Sequence, residues 1–154
     1  MNDQVYVSPP RLRHMHTSQQ LVACFPVISE LRPNLHDAAE WVARAFHMKA
    51  DGYRVLAACE GECVVALAGY RVMESMFHGR FVYVDDLVTA TACRGRGIGA
   101  LLLQKLSEIG EQECCARLVL NTPASNIGAR RFCKREGMFD VIVGFVKPLK
   151  PSCA

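Results

Sequence analysis

No apolar run in this chain approaches the length of a bilayer span; stretches such as Val64–Ala68 fall far short of it. The N-terminal residues lack a basic segment followed by an apolar stretch and a small-residue cleavage site, so the expected location is cytoplasmic, with no membrane partner. Lysines and arginines are scattered, and the formal charge of +3 offers no continuous basic footprint, which argues against nucleic acid as a partner. There are eight cysteines but no pair of CxxC knuckles, and the five histidines do not complete a ligand set; no metal site is expected. The cysteines read as small, semi-apolar residues kept reduced. Internal repeats and low-complexity linkers are also missing, and prolines 9, 10, 148 and 151 sit near the ends. A single domain over residues 1–154 is expected.

What is present is enough for one core. With 154 residues, 51% apolar and 21% charged, the chain has the size and composition of a globular domain that buries roughly two-thirds of its unfolded surface. "QVYV" at 4–7 reads as a first strand, and Thr17 opens a helix that Pro26 should bend or break into two pieces. A second helix from Asn34 or Asp37 carries Trp41, Val42, Ala45 and Phe46 on one stripe and ends at Asp51-Gly52. "YRVLAACE" and "CVVALAGYRV" flank the turn-like "EGE" as a hairpin, and "RFVYVDDLVTA" extends the sheet after "FHG". Ile98, Leu101, Leu102, Leu106 and Ile109 recur at helical spacing over 97 to about 113. A short strand at 117–122, a helix from Asn126 closed by Gly137, and a last strand in "MFDVIVGFVK" complete the order. One crossover, from the meander through the helix at 97 to residue 117, implies a parallel pair in a mostly antiparallel α/β (α+β) sheet.

The segment "RGRGIGA" at 94–100 lies between a strand and that helix. A helix N-terminus exposes amides without intrahelical partners and a partial positive charge. Glycines at 95, 97 and 99 remove side chains and permit positive φ, while Arg94 and Arg96 add charge, so a pyrophosphate suits the position. The spacing excludes two familiar phosphate loops: no Gly-Lys-Ser/Thr follows, and the glycines are spaced two and two, where the dinucleotide fingerprint needs two and three.

Arg94, Gly97 and Gly99 resemble the acyl-CoA loop of the GNAT superfamily of N-acetyltransferases; "VDDLVT" resembles that family's splayed fourth strand and "NIGARRFCKREGM" its following helix-and-turn block. The resemblance, which runs from about residue 4 to 147, implies a sheet of about six or seven strands flanked by about four helices, acetyl-CoA as co-substrate and a primary amine, on a small molecule or a protein, as acceptor. It implies that the backbone amides of Gly95, Arg96, Gly97, Ile98, Gly99 and Ala100 hold the pyrophosphate, beside the charge of Arg94. Leu87, Val88 and Thr89 would pair with the pantetheine arm, the Leu87 amide would donate to the thioester carbonyl, and Asn126 and Arg130 would lie along the cofactor.

Two positions depart from the family's pattern. Tyr83 stands where many relatives carry a glutamate base, leaving Asp85 as the nearest substitute, either a base through water or an anionic anchor; strand alternation puts Tyr83, Asp85 and Leu87 on one face and Asp86 on the other unless a bulge shifts the phase. Cys133 stands where the usual tyrosine acid would be, as a proton donor or as packing beside the cofactor sulfur, and Tyr83 is then the remaining phenol. Tyr53, Trp41 and Phe77 suit a core as well as an acceptor cleft, and His14 and His16 read as solvent-facing. The apolar "VIVGFV" at 141–146 allows a homodimer. A non-catalytic acyl-CoA-binding module is the alternative reading.

Overall fold

The computed structural model describes residues 8–153. They fall into two compact units, one running through Asn121 and the other starting at Thr122. In the first unit five strands lie in sequence order: β1 (Arg11–Met15), β2 (Arg54–Glu60), β3 (Cys63–Ser75), β4 (Gly79–Thr89) and β5 (Arg117–Leu120). Neighbours are antiparallel except β4 and β5, the parallel pair made by the crossover through helix α3 (Ile98–Gln112). This is the expected mixed sheet, with five strands among the described residues in place of six or seven.

Alternation along β2 sorts the core onto two faces. Val55, Ala57 and Cys59 meet helices α1 (Ser18–Leu31) and α2 (Ala38–Lys49) through Leu21, Cys24, Ile28, Trp41 and Ala45. Leu56 and Ala58 belong to the opposite cluster, where Ile98, Leu102, Leu106 and Ile109 of α3 pack on Val82 and Val84 of β4. Leu101, expected in that stripe, is half-buried, and Leu103 is buried instead. Gly110 lets α3 approach the sheet: a Cβ there would stand 2.7 Å from Val82 Cγ2. The indole of Trp41, fully in the core, donates to Leu21 O at 2.8 Å, whereas Phe46 lies at the rim, 41% exposed, because the stripe of α2 is only wide enough to bury Trp41 and Ala45.

Several sequence expectations change. The "QVYV" strand lies outside the described residues; the first described strand is Arg11–Met15, directly after the two prolines. Its His14 is not solvent-facing but accepts or donates a 2.7 Å hydrogen bond with the Tyr70 hydroxyl. Helix α1 continues through Pro26 as one helix with a capping box at Thr17 and Gln20. Proline removes the bond to the carbonyl four residues earlier, but that residue, Val22, is exposed, so water can satisfy the freed carbonyl. The strand expected in 138–147 does not form. A strand requires a partner ladder, and the described residues of the second unit form only helix α4 (Ile127–Arg135); Phe139, Val143, Phe145 and Val146 stand exposed.

Candidate active site

The glycine loop follows β4 after one short turn. Ala90 N donates to Val65 O at 2.8 Å, a short 3-10 turn (Thr91–Cys93) comes next, and Thr91 donates through both its amide and its hydroxyl to the Glu30 carboxylate from α1. Gly95 and Gly97 have φ of +78° and +76°, the left-handed region that disfavours any other residue, and a Cβ at either would meet nothing within 4 Å. Gly97 is the N-cap of α3 without a side-chain cap, and no acidic residue lies in the first turn. The first intrahelical bond from this cap is Leu101 N to Gly97 O at 3.1 Å, so the amides of Ile98, Gly99 and Ala100 remain available. An open cradle of backbone donors at a dipole's positive end fits a pyrophosphate. The arginines are less free than their charge suggests: Arg94 Nε reaches Thr89 O at 3.4 Å, and Arg96 is ion-paired with Glu60 at the end of β2.

The β4–β5 ladder ends at Val84 and Leu120. Among the described residues, 85–89 of β4 therefore have β3 on one side and no ladder on the other, and alternate amides and carbonyls of this stretch point to that open edge. Leu87, Val88 and Thr89 all lie here. At the point of divergence Tyr83 is half-buried, and its hydroxyl accepts from Asn121 Nδ2 at 3.1 Å, which leaves its own proton to donate elsewhere.

Asp85 is the extra residue of a bulge: Val84 opposes Tyr70 and Asp86 opposes Gly69, with nothing opposite Asp85. The bulge shifts the side-chain phase. Before it, Val82 and Val84 face α3; beyond it, Leu87 packs toward α3 while Val88 joins the cluster under α1 and α2. Asp85 and Asp86 consequently both reach groups on the Tyr53 side, and the expected sharing of a face by Asp85 and Leu87 does not occur. Arg71 grips Asp85 through Nε (3.2 and 3.1 Å to the two oxygens) and Nη2 (3.0 Å), while its guanidinium lies 5.8 Å from the Tyr53 ring centroid. Burial pushes the Asp85 carboxyl above the usual aspartate range, against the pull of Arg71. Asp86 accepts from Tyr53 OH at 2.7 Å and from Arg32 Nε at 2.9 Å, and Arg32 Nη2 also donates to Asp85 O at 3.0 Å. Arg32, Tyr53, Gly69, Arg71, Glu60 and Asn121 carry no motif. Only Gly69, a glycine inside a strand-like run, signalled a bulge or a close approach.

Of the aromatic residues weighed as cleft or core, Tyr53 and Trp41 are buried and Phe77 is exposed at the β3–β4 turn. In the second unit Asn126 caps α4, its Oδ1 accepting from Ala129 N at 3.0 Å. Arg130 donates to Ala124 O at 3.3 Å and pairs with Asp140 at 3.6 Å. Cys133 is half-buried, and burial raises its thiol pKa. All eight cysteines are free, and among the described residues no group of His, Cys, Asp or Glu is placed to hold a metal. No described helix is long and apolar enough to cross a membrane.

A mixed sheet that opens after its fourth strand, beside an uncapped, glycine-led helix N-terminus, is the scaffold of an acyl-CoA-type acetyltransferase. The chain belongs to the acetyltransferase (GNAT) family, whose model matches residues 17–138. It is similar to an uncharacterized N-acetyltransferase, YhdJ, of Bacillus subtilis (strain 168), 25% identical over 79% of this chain and 85% of that protein. It also resembles the thialysine N-epsilon-acetyltransferase of Bos taurus, 33% identical over 40% of this chain and 36% of that protein. Among solved structures, AAC(6')-Iy in complex with a CoA bisubstrate analogue superposes with a TM-score of 0.78 at 15% identity, covering 94% of this chain and 100% of that one. A transcriptional regulator from Bacillus halodurans C-125 gives a TM-score of 0.80 at 20% identity, covering 91% and 99%. At these identities the likeness is one of fold.

Proposed function

We propose that the protein is an acetyl-CoA-dependent N-acetyltransferase that moves the acetyl group to a primary amine by direct attack with both substrates bound. The observation that carries this reading is the coincidence of two backbone features on one strand and the helix after it: the open β4 edge at 85–89 and the free amides at the start of α3. The first suits an extended amide-containing arm and the second suits the pyrophosphate to which that arm is attached. Acetyl-CoA supplies an activated thioester. The protein then aligns the carbonyl against the β4 edge, where the Leu87 amide donates to its oxygen as negative charge develops.

Tyr83 is assigned the proton that the departing thiolate takes up, because its hydroxyl accepts from Asn121 and keeps its own hydrogen. Asp85, with both oxygens engaged by Arg71, is a weak acceptor for the amine proton, which we assign mainly to water at the strand opening. Asn126 and Arg130 are assigned to the cofactor on the family's pattern, and Cys133 to packing. The engagement of Asp85 also favours the second reading, an acyl-CoA-binding module without turnover.

The test is acetyl transfer to a panel of amines, scored by product mass. The panel includes lysine, its thioether analogue, an aminoglycoside, an amino sugar and peptides with free N-termini. An acetylated product above the no-enzyme background supports the enzyme; saturable acetyl-CoA binding with no product across a broad panel supports the binding module.

A further inference from the structure

We propose that Tyr53, Asp86 and Arg32, with Gly69 making room for them, form a clamp that holds the β4 bulge in register, and that they are positioning residues for the thioester-facing backbone at Leu87. The inference rests on the acetyl-CoA reading above and concerns Tyr53, Arg32 and Gly69, which lie outside the motif segments that carry the family resemblance.

The geometry is specific to this bulge. An unpaired residue within a strand leaves the local ladder without its usual restraint, and Asp85 is that residue. Besides the grip of Arg71 on the Asp85 carboxylate, three bonds reach Asp85 and its successor from two elements other than β3. The Tyr53 hydroxyl, next to the start of β2, donates to Asp86 Oδ2 at 2.7 Å. Arg32, the C-cap of α1, donates through Nε to Asp86 Oδ1 at 2.9 Å and through Nη2 to the main-chain carbonyl of Asp85 at 3.0 Å. One guanidinium thus fixes both the side chain and the backbone of the bulge. Asp86 immediately precedes Leu87, so any rotation of the bulge is passed to the amides of 87–89.

Gly69 is the counterpart on β3. A Cβ built there would lie 2.0 Å from the Tyr53 hydroxyl oxygen and 2.7 Å from Asp86 Oδ2, inside the space the hydrogen bond occupies. Its φ is not in the left-handed region, so the need for glycine is steric: the phenol crosses the sheet surface over that position. Tyr53 is only 4% exposed, and its bond to a carboxylate gives the buried hydroxyl its partner. Tyr53 and Arg32 lie off β4 and act on its open stretch through Asp86 and the Asp85 carbonyl.

The test compares the parent protein with Tyr53→Phe and Asp86→Asn by amide hydrogen exchange and by calorimetric titration with acetyl-CoA. Tyr53→Phe keeps the ring and removes the donor. The expected result is faster exchange confined to residues 85–89, unchanged exchange in β2 and in 79–83, and acetyl-CoA binding weakened about fivefold or more. Asp86→Asn leaves one acceptor oxygen where two donors, the phenol and Arg32 Nε, converge, and should show the same pattern at least as strongly. Exchange in 85–89 that is unchanged, or that rises uniformly across the sheet, would overturn the clamp. If the parent binds no acetyl-CoA, the cofactor reading fails, and the exchange pattern alone decides whether the clamp exists.

Discussion

Replacing Gly69 with alanine should be among the most damaging single-methyl additions in the first unit. The new Cβ would stand 2.0 Å from the Tyr53 hydroxyl oxygen, 2.6 Å from its Cζ and 2.7 Å from Asp86 Oδ2, where nonbonded atoms do not approach under 3 Å. The phenol is 4% exposed and sits among core residues, so it cannot swing away cheaply. Overpacking of this kind costs about 1–3 kcal/mol, and loss of a hydrogen bond to a charged group a further ~1.5–3 kcal/mol. A destabilisation of about 3 kcal/mol or more is therefore expected, a large share of the ~5–15 kcal/mol that a domain of this size possesses. Tyr53→Phe alone should cost about 1.5–3 kcal/mol. In the double variant the hydrogen bond is already gone, so the alanine adds only its repulsion with the ring, and the two effects should fall short of additivity by about 1.5 kcal/mol or more. Urea unfolding of the four proteins, with m-values compared, measures this directly. Additivity within about 0.5 kcal/mol would show that Gly69 and Tyr53 act independently and would refute the reasoning.

Other expectations can be checked alongside. Glu60→Gln frees Arg96 from its ion pair beside the glycine loop, and acetyl-CoA should bind more tightly and with a steeper loss of affinity in salt; calorimetry at two ionic strengths that shows weaker binding would contradict this. Tyr83→Phe should lower kcat by about 10²-fold with little change in KM for acetyl-CoA, whereas Asp85→Asn should cost less than about tenfold; the reverse ranking would make Asp85 the acceptor of the amine proton and remove Tyr83 as donor to the thiolate. His14 titrates below its ordinary value of 6.5, first because it is partly buried and then because His16, Arg54 and Lys105 lie near. The unfolded chain therefore binds this proton before the native one does, and the associated stability is complete above pH 6.5 and is lost as the pH falls below it. His14→Gln should flatten the decline in melting temperature between pH 6.5 and 5; an unchanged slope would remove His14 as its source.

The sequence showed the parts of this molecule that follow from period and punctuation. The apolar, β-branched runs in 54–60 and 63–70, the turn at Gly61, the helical repeat from Ile98 and the positive-φ glycines 95 and 97 all lie where local chemistry places them. Strand β1 was missed because "RLRHM" has the composition of a solvated segment; its strand character comes from the register with β2, Arg11 opposite Cys59 through Met15 opposite Val55. Pro26 misled in the other direction, since the cost of a proline depends on whether the freed carbonyl faces water, which one helix alone does not reveal. The faces of Asp85 and Asp86 turned on a bulge whose position is set by Gly69 on the neighbouring strand. The partners of those aspartates, Arg32, Tyr53 and Arg71, come from distant parts of the chain that no local pattern connects.

The most direct test of the account is calorimetric titration of acetyl-CoA into the purified protein, with Gly97→Trp as control. Calorimetry is preferable to a thiol-reactive dye because eight cysteines would react with the dye. The account predicts saturable one-to-one binding by the parent and its loss in the variant, whose bulky side chain at a left-handed φ both strains the loop and crowds the α3 amides, while circular dichroism shows the helices retained. Absence of binding by the parent, or undiminished binding by the variant, would contradict the assignment of the glycine loop as the seat of the cofactor pyrophosphate.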